Sequence, residues 1–274
     1  MKRAFNYVPS RRTAIILACL PFLLALVIYA IGSEIRLAEN PKDKLMPSFP
    51  AFADAMEKLA FTENRRTGEY VFWQDTLVSL ERLLTGIGIS VALCLAIGLP
   101  VGFLPYLRRM WEPFVAAFSL IPPLAVLPIL FIIFGLGETS KIVLIVFGVA
   151  PFLTRDVALS VTQIPREQVI KAQTLGASTL QILSQIVLPQ VLPRLFDSLR
   201  LSLGSAWLFL IAAEAIASEG GLGYRIFLVR RYLSMDVILP YVLWITLLAF
   251  LMDYLLRLAS QSMCRWHHLE TKPA

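Results

Sequence analysis

Three stretches of the chain carry no charged residue: Thr13 to Ile31, Leu83 to Leu107 and Pro113 to Gly137. Each is long enough to cross a hydrocarbon layer of about 30 Å as an α-helix of roughly 20 residues. Three further apolar segments are shorter or interrupted. Ile142 to Thr154 is uncharged, then Arg155 and Asp156 precede an apolar tail to Ile164. Leu201 to Ala213 lies between Arg200 and Glu214, and Val237 to Met252 ends at Asp253. The pattern predicts an all-α polytopic membrane protein of about six transmembrane helices. A barrel would instead show short alternating segments. The charges that bound the short runs fall inside or near the membrane, where an ionised side chain is expensive.

The segments between the spans divide the chain. Residues 1–12 read as a tail, 13–31 as the first span, 32–75 as an external segment, 76–260 as a core and 261–274 as a second tail. Within 32–75, Pro41, Pro47 and Pro50 predict an extended stretch. Residues 51–61 follow as a short surface helix with Phe52, Ala55, Met56 and Leu59 on one face. Phe72 and Trp73 predict re-entry at the headgroup level, where aromatic rings anchor. Pro122, Pro123 and Pro128 interrupt the third span and Pro151 the fourth, which predicts kinks. Gly86, Gly88, Gly98 and Gly102 allow close helix approach. Gly220, Gly221 and Gly223 permit a sharp re-entrant turn after the fifth span.

Composition agrees with the layout. Of the 274 residues, 57% are hydrophobic and 16% charged; a soluble domain has about 25% charged residues. Basic residues set the expected orientation. Lys2, Arg3, Arg11 and Arg12 place the N-terminus in the cytoplasm. Arg108, Arg109, Arg166, Lys171 and Arg194 fall in loops on the same side, and the C-terminus returns there. The same N-terminal charges precede a signal peptide's core, with Ala30-Ile31-Gly32 as a weak cleavage site. An apolar run of 19 residues exceeds the usual 7–15, so the segment is read as a retained span. The loop 218–236 breaks the charge rule, since it is expected outside yet carries Arg225, Arg230 and Arg231. Its arginines form either a solvated face or a dock for an acidic patch on another protein.

No basic run is interleaved with aromatics, so nucleic acid is not an expected partner. Cys19, Cys94 and Cys264 form no paired motif. The two histidines, His267 and His268, sit beside Trp266 in the tail and read as an interfacial end rather than a metal site.

The segment 165–189 is polar-speckled and lies between the fourth and fifth spans. Pro165 suits a helix's first turn and Glu167 its dipole. The helix is expected to reach Leu175, with Gly176 as a left-handed stop. Ser178 with Gln181 fits a capping box that starts a second helix, and Pro189 is expected to end it. Val169, Ala172, Gly176, Leu180, Leu183 and Val187 form an apolar stripe. Lys171, Thr174, Ser178, Gln181 and Gln185 are polar. Such a pair either lies on the membrane surface or fits a groove on a cytosolic partner.

Gly176, Ile186, Leu188 and Pro189 match a G-x9-I-x-L-P core. In this the segment resembles the cytoplasmic coupling loop of binding-protein-dependent ABC transporter permeases. Ala172 agrees with the family pattern; Ile170 and Lys171 stand where the family has Glu and Ala. Ile121 to Lys141, Ala206 to Glu214 and Gly221 to Ile226 are similar to the nitrate/sulfonate/taurine branch. Arg36 to Phe49 and Arg225 to Tyr241 resemble permeases associated with urea carboxylase systems. The resemblance runs from about Leu45 to Leu258. It implies the type I importer permease fold in a bacterial inner membrane. It also implies a second permease subunit, expected as a homodimer, a cytosolic ATPase that binds the ATP, and an external solute-binding protein. It assigns ATPase coupling to Lys171, Ala172, Gly176, Ala177, Ser178, Ile186, Leu188 and Pro189.

The chain itself has no G-x-x-x-x-G-K-[ST] phosphate loop, so it is expected to carry no ATPase site and no cofactor. A membrane enzyme would need a catalytic constellation that the sequence lacks. A self-sufficient channel or carrier would leave the Gly176–Pro189 core without a role. Candidates for the translocation path or its gate are Glu214, Glu219, Gly221 and Gly223. For Glu214 the alternative is a carboxylate bonded to a neighbouring helix, and Arg155 and Asp156 are expected to find structural partners. A urea- or guanidine-like solute is favoured by the resemblance. Nitrate, a sulfonate or another small anion is the alternative.

Overall fold

In the computed structural model, residues 10–41, 43–63 and 68–266 are described. Helix α1 spans Arg11–Glu39, α2 Phe49–Ala60, α3 Val71–Leu93, α4 Leu99–Phe103, α5 Pro105–Ser119 and α6 Pro123–Phe134. Then come α7 Glu138–Thr162, α8 Arg166–Thr174, α9 Thr179–Ile182, α10 Leu188–Ile216, α11 Leu222–Arg230 and α12 Met235–Met263. Among the described residues there is no strand. The basic N-terminal residues Lys2 and Arg3, and His267 and His268, lie outside the described residues.

Helix α7 is the axis of the bundle. Its Leu144, Ile145, Leu153 and Val157 are fully enclosed, and α3, α10 and the α4–α6 segment pack around it. The approach of α3 and α4 depends on glycine. A Cβ at Gly86 would lie 2.8 Å from Ile145, and one at Gly102 2.6 Å from Val161. Gly98 sits 3.0 Å from the Thr154 carbonyl by the same measure, whereas Gly88 faces open space and carries no close contact. Small residues thus let these backbones meet, as in membrane helix pairs generally.

Among the described residues, five helical stretches are long and apolar enough to cross a membrane. The expected third span is not one straight or merely kinked helix. It breaks into α5 and α6, inclined at 95°. Pro122 and Pro123 are consecutive, so two backbone donors are missing, and Pro122 adopts an extended ψ of 116°. A single proline kinks a helix; two in sequence stop it. Counting that bent pair as one gives the sixth span.

Helix α1 stands apart, with none of its most apolar window buried. It is held at its C-terminal end. Tyr29 donates to the Pro47 carbonyl at 2.8 Å and Ser33 to that of Met46 at 2.9 Å. Asp43, just beyond α1, accepts from the Leu45 N–H and from Arg36, which together hold its carboxyl below the usual range. In α2, Ala55 is buried and Phe52, Met56 and Leu59 are half-buried, so the expected face is the one that packs. Phe72 is not an interfacial anchor. It is buried among Trp73, Tyr241 and Trp244, with ring centroids 5.2–5.3 Å away. Trp73 remains partly exposed and donates to the Ala60 carbonyl.

Candidate functional site

Two places carry the candidate residues, at opposite ends of α10. The first is the α8–α9 knob. Gly176 has φ +80°, the left-handed conformation predicted for it. The Ala177 N–H bonds the Ala172 carbonyl at 3.0 Å and the Gly176 N–H bonds that of Gln173 at 2.9 Å. This is the Schellman pair of bonds that closes a helix end. The Ser178 hydroxyl accepts from the Gln181 N–H at 3.3 Å, and the Gln181 side chain accepts from the Ser178 N–H at 2.8 Å. Both halves of the capping box are therefore made. The knob is tied back to the bundle by Gln190, which donates to Gln168 at 2.7 Å.

The knob departs from expectation in three respects. Pro165 caps α8 from outside rather than opening its first turn. Pro189 does not end the second helix. The chain continues unbroken from Thr179 to Ile216 through a π-turn at Leu183–Val187. There the Leu188 N–H reaches back five residues to the Leu183 carbonyl. A proline at 189 cannot donate to Gln185, and the wider turn lets the helix pass it. The same device, a π-turn two residues before a proline, recurs at Cys94–Gly98 ahead of Pro100. The third departure is the apolar stripe. Ala172, Ile182 and Val187 are buried, but Leu180 points away. Leu175 and Leu180 are 87% and 74% exposed on either side of Gly176. Lys171 and Ser178 are exposed, while Ala177, Ile186, Leu188 and Pro189 are half-buried beneath them.

The second place is a buried polar cluster. Asp75, Ser79 and Arg82 follow one another at i, i+4 and i+7 and so share a face of α3. Glu214 of α10 points at that face and is 0% exposed. Its carboxylate accepts from Ser79 at 2.8 and 3.0 Å, from Arg82 at 2.8 Å and from the Gly223 N–H at 2.8 Å. Arg82 extends further, to the Gly220 carbonyl at 2.8 Å and to both oxygens of Glu138, which also pairs with Lys141. Asp75 accepts from the Gly221 N–H at 3.0 Å and from Arg225 at 2.8 Å. The Leu222 N–H donates to Ser79 at 2.8 Å.

Four successive backbone groups of the turn 220–223 are thus held by side chains of α3 and α10. Gly221 has φ +119°, and a Cβ there would lie 2.5 Å from the Glu214 carboxylate. A Cβ at Gly223 would lie 2.8 Å from the Ile211 carbonyl oxygen. Gly221 is required both by conformation and by space, Gly223 by space alone.

The arrangement sorts the candidates. Glu214, Gly221 and Gly223 are brought together, but inside the subunit rather than on an open surface. Glu219 is exposed beside Glu81 and Glu138 on a cavity of about 540 Å³. Arg225 is not free for docking, because its guanidinium is committed to Asp75. Arg230 and Arg231 are exposed, with Arg230 lying over the Phe227 ring. Asp156 finds the expected partner in Arg194 at 3.0 Å and also accepts from Ser198. Asp75, Arg82 and Lys141 escaped the sequence reading, although the i, i+4, i+7 spacing of Asp75, Ser79 and Arg82 was visible there. Among the described residues no group of three side chains is placed to hold a metal.

Residues 85–264 match the family model described as binding-protein-dependent transport system inner membrane component. The taurine transport system permease protein TauC of Escherichia coli K12 is 34% identical over 195 residues, 71% of each chain. The bicarbonate transport system permease protein CmpB of Synechococcus elongatus is 34% identical over 187 residues, 67% of this chain and 66% of that one. A solved structure of the MetNI methionine ABC transporter in inward-facing conformations shares the fold. Its TM-score is 0.59 at 23% identity, over 71% of this chain and 96% of that one. The unbroken rod of α10, the knob at its foot and the match over most of the spans agree: this chain belongs to the inner-membrane components of binding-protein-dependent transport systems, and is a permease subunit of an ABC importer with no ATPase site of its own.

Proposed function

We propose that the α8–α9 knob is the grip by which this permease is driven, and that the cargo is a small oxyanionic solute. The observation that carries the first part is the exposure of Leu175 and Leu180 beside a fixed glycine turn. A large apolar side chain left in water forfeits about 1.5–3 kcal/mol that a partner's groove would recover. Gly176 and the capping box hold the two leucines at the tip, while Ala172, Ile186 and Pro189 form the base. The partner is a cytosolic ATPase, which places both termini of the permease on the same side. A second permease copy, most simply as a homodimer, completes the path, and an external binding protein delivers the solute to the opposite face.

The urea- or guanidine-like cargo favoured by the sequence has less support. Glu214 already accepts from three partners and is not free to pair with a guanidinium in transit, which leaves Glu81 and Glu219 as the carboxylates such a cation would meet; neutral urea needs none. Taurine and bicarbonate, named for two relatives, each carry a small oxyanion. Arg230 and Arg231 remain exposed to meet the carrier or its cargo.

The joint variant Leu175→Ser/Leu180→Ser tests the grip. Because both residues are exposed, the permease is expected to insert normally and keep its melting temperature. ATPase affinity should fall at least tenfold, the equivalent of about 1.4 kcal/mol. Unchanged affinity would refute the assignment. Uptake competition among taurine, bicarbonate and guanidinium, with the cognate binding protein present, decides the cargo class.

A further inference from the structure

At the end of the bundle that carries α8, helices α4, α5 and α7 leave a cavity of about 350 Å³. Arg108 of α5 and Arg155 of α7 line it, together with Glu112. An adjoining cavity of about 440 Å³ shares Arg108 and Thr162 with the first and adds Arg166. Among the described residues, the ion pairs involve none of these three arginines, and Glu112 pairs with neither of its neighbours. Arg108 donates from one terminal nitrogen to the Gly102 carbonyl, but its Nε–H is buried without an acceptor. Buried donors are normally satisfied. The guanidinium is thus only partly committed within the chain, and with Arg155 and Arg166 also outside the ion pairs the place has positive charge to spare.

The other end of the same groove has the opposite chemistry. A cavity of about 160 Å³ shares Val115 and Thr154 with the first. Its walls are apolar, with Ile97 on one side and Trp111, Phe114 and Phe118 of α5 on the other. The three α5 rings form a continuous run, with centroids 5.8 and 5.6 Å apart. Arg108, Trp111, Val115 and Phe118 recur at helical spacing on one face of α5. From Arg108 to Phe118 the helix rises about 15 Å at 1.5 Å per residue. That is half of a hydrocarbon core of about 30 Å, the depth of one leaflet.

We propose that this groove holds one anionic phospholipid, with its phosphate between Arg108 and Arg155 and an acyl chain along Trp111, Phe114 and Phe118. A small free anion would use the basic end and leave the aromatic wall without a partner. A zwitterionic lipid would leave the arginine charge uncompensated, because its ammonium brings a second positive group with only Glu112 to meet it. Basic pockets between helices at a membrane face recognise anionic headgroups in this way.

The test uses the purified permease–ATPase complex, delipidated in neutral detergent and examined by native mass spectrometry with dioleoyl phosphatidylglycerol and dioleoyl phosphatidylcholine. The expected result is one retained phosphatidylglycerol per permease. Its preference over phosphatidylcholine should be about thirtyfold, since each basic group near an anionic headgroup contributes about fivefold. Arg108→Gln/Arg155→Gln should abolish the preference. Arg155→Gln alone, at an exposed position, should reduce it about fivefold and keeps the test decisive if the double variant misfolds. Phosphatidylglycerol with brominated chains should quench tryptophan emission in the wild type, and less in Trp111→Phe. Equal retention of the two lipids, or full preference in Arg155→Gln, would overturn the proposal. So would displacement by inorganic phosphate as effective as displacement by the lipid, which would mark a plain anion pocket.

Discussion

Replacing Glu214 by Gln changes one atom and removes one charge in the middle of the polar cluster. In the wild type, one carboxylate oxygen accepts from Ser79 and Arg82, and the other from Ser79 and the Gly223 N–H. A glutamine has a single acceptor oxygen, and its amide nitrogen only donates. In one flip the nitrogen faces Arg82; in the other it faces the Gly223 N–H. Either way a buried donor meets a buried donor. The loss comprises one charge-assisted hydrogen bond, about 1.5–3 kcal/mol, and one unsatisfied donor, about 1–3 kcal/mol. The sum, about 2.5–6 kcal/mol, brackets the usual cost of about 3–5 kcal/mol for breaking a buried pair from one side. At about 2–4 °C per kcal/mol for a chain of this size, the melting temperature should fall by about 10 °C. Intrinsic fluorescence of the purified complex during heating measures it, with uptake recorded on the same preparation. A Glu214→Gln protein that melts within about 2 °C of the wild type would refute the account of the cluster. If such a protein had also lost uptake, Glu214 would return to the translocation path.

Gly176→Val should abolish transport and ATPase association while insertion stays normal, because a β-branched residue is strained at φ +80°; normal uptake by an inserted variant would disprove this. Gly221→Ala should lose both stability and transport, whereas Gly220→Ala, whose Cβ meets only Asp75 at 3.9 Å, should be tolerated; similar melting of the two variants would contradict the clamp. A cysteine at Ser48 should react with an impermeant thiol reagent applied from outside, and one at Ser178 only after permeabilisation. The reverse labelling pattern would invert the orientation and place the knob beyond reach of any cytosolic partner.

Local chemistry was the legible part of the chain. The Schellman stop at Gly176 and the box of Ser178 with Gln181 are decided by residues within a turn or two of each other, so sequence alone carries them. The packed face of α2 was readable for the same reason. What escaped depends on distance or on competition between rules. Arg82 stands just outside the uncharged run Leu83 to Leu107 and was not among the candidates. Its partner Glu214 is 132 positions away, and no periodicity connects them. Pro122 with Pro123 promised a kink, and only the loss of two neighbouring donors turned it into a break. Pro189 looked like a terminator because a proline usually is one. The π-turn carries the helix past it, with Ile182 and Val187 buried on either side of the turn. Leu180, placed on the buried stripe by periodicity, lies beyond the break at Gly176, where one helical period no longer carries over from Ala172.

The continuity of the helix past Pro189 gives the subunit a mechanical member. Residues Thr179–Ile216 form one rod of 38 residues, about 57 Å long at 1.5 Å per residue. One end begins at the knob; the other holds Glu214 in its last turn, two residues from the end. A rod transmits tilt without attenuation. If it pivots about its middle by about 10°, each end moves by about 5 Å, in opposite directions, given the length set by its rise per residue. On the proposal that a partner drives the knob, force applied at Leu180 would arrive at the far end as a sideways thrust on the turn 220–223, which Glu214 and Arg82 grip. The cluster is then the far bearing of a lever: it must be stiff, since any play there would be subtracted from the stroke.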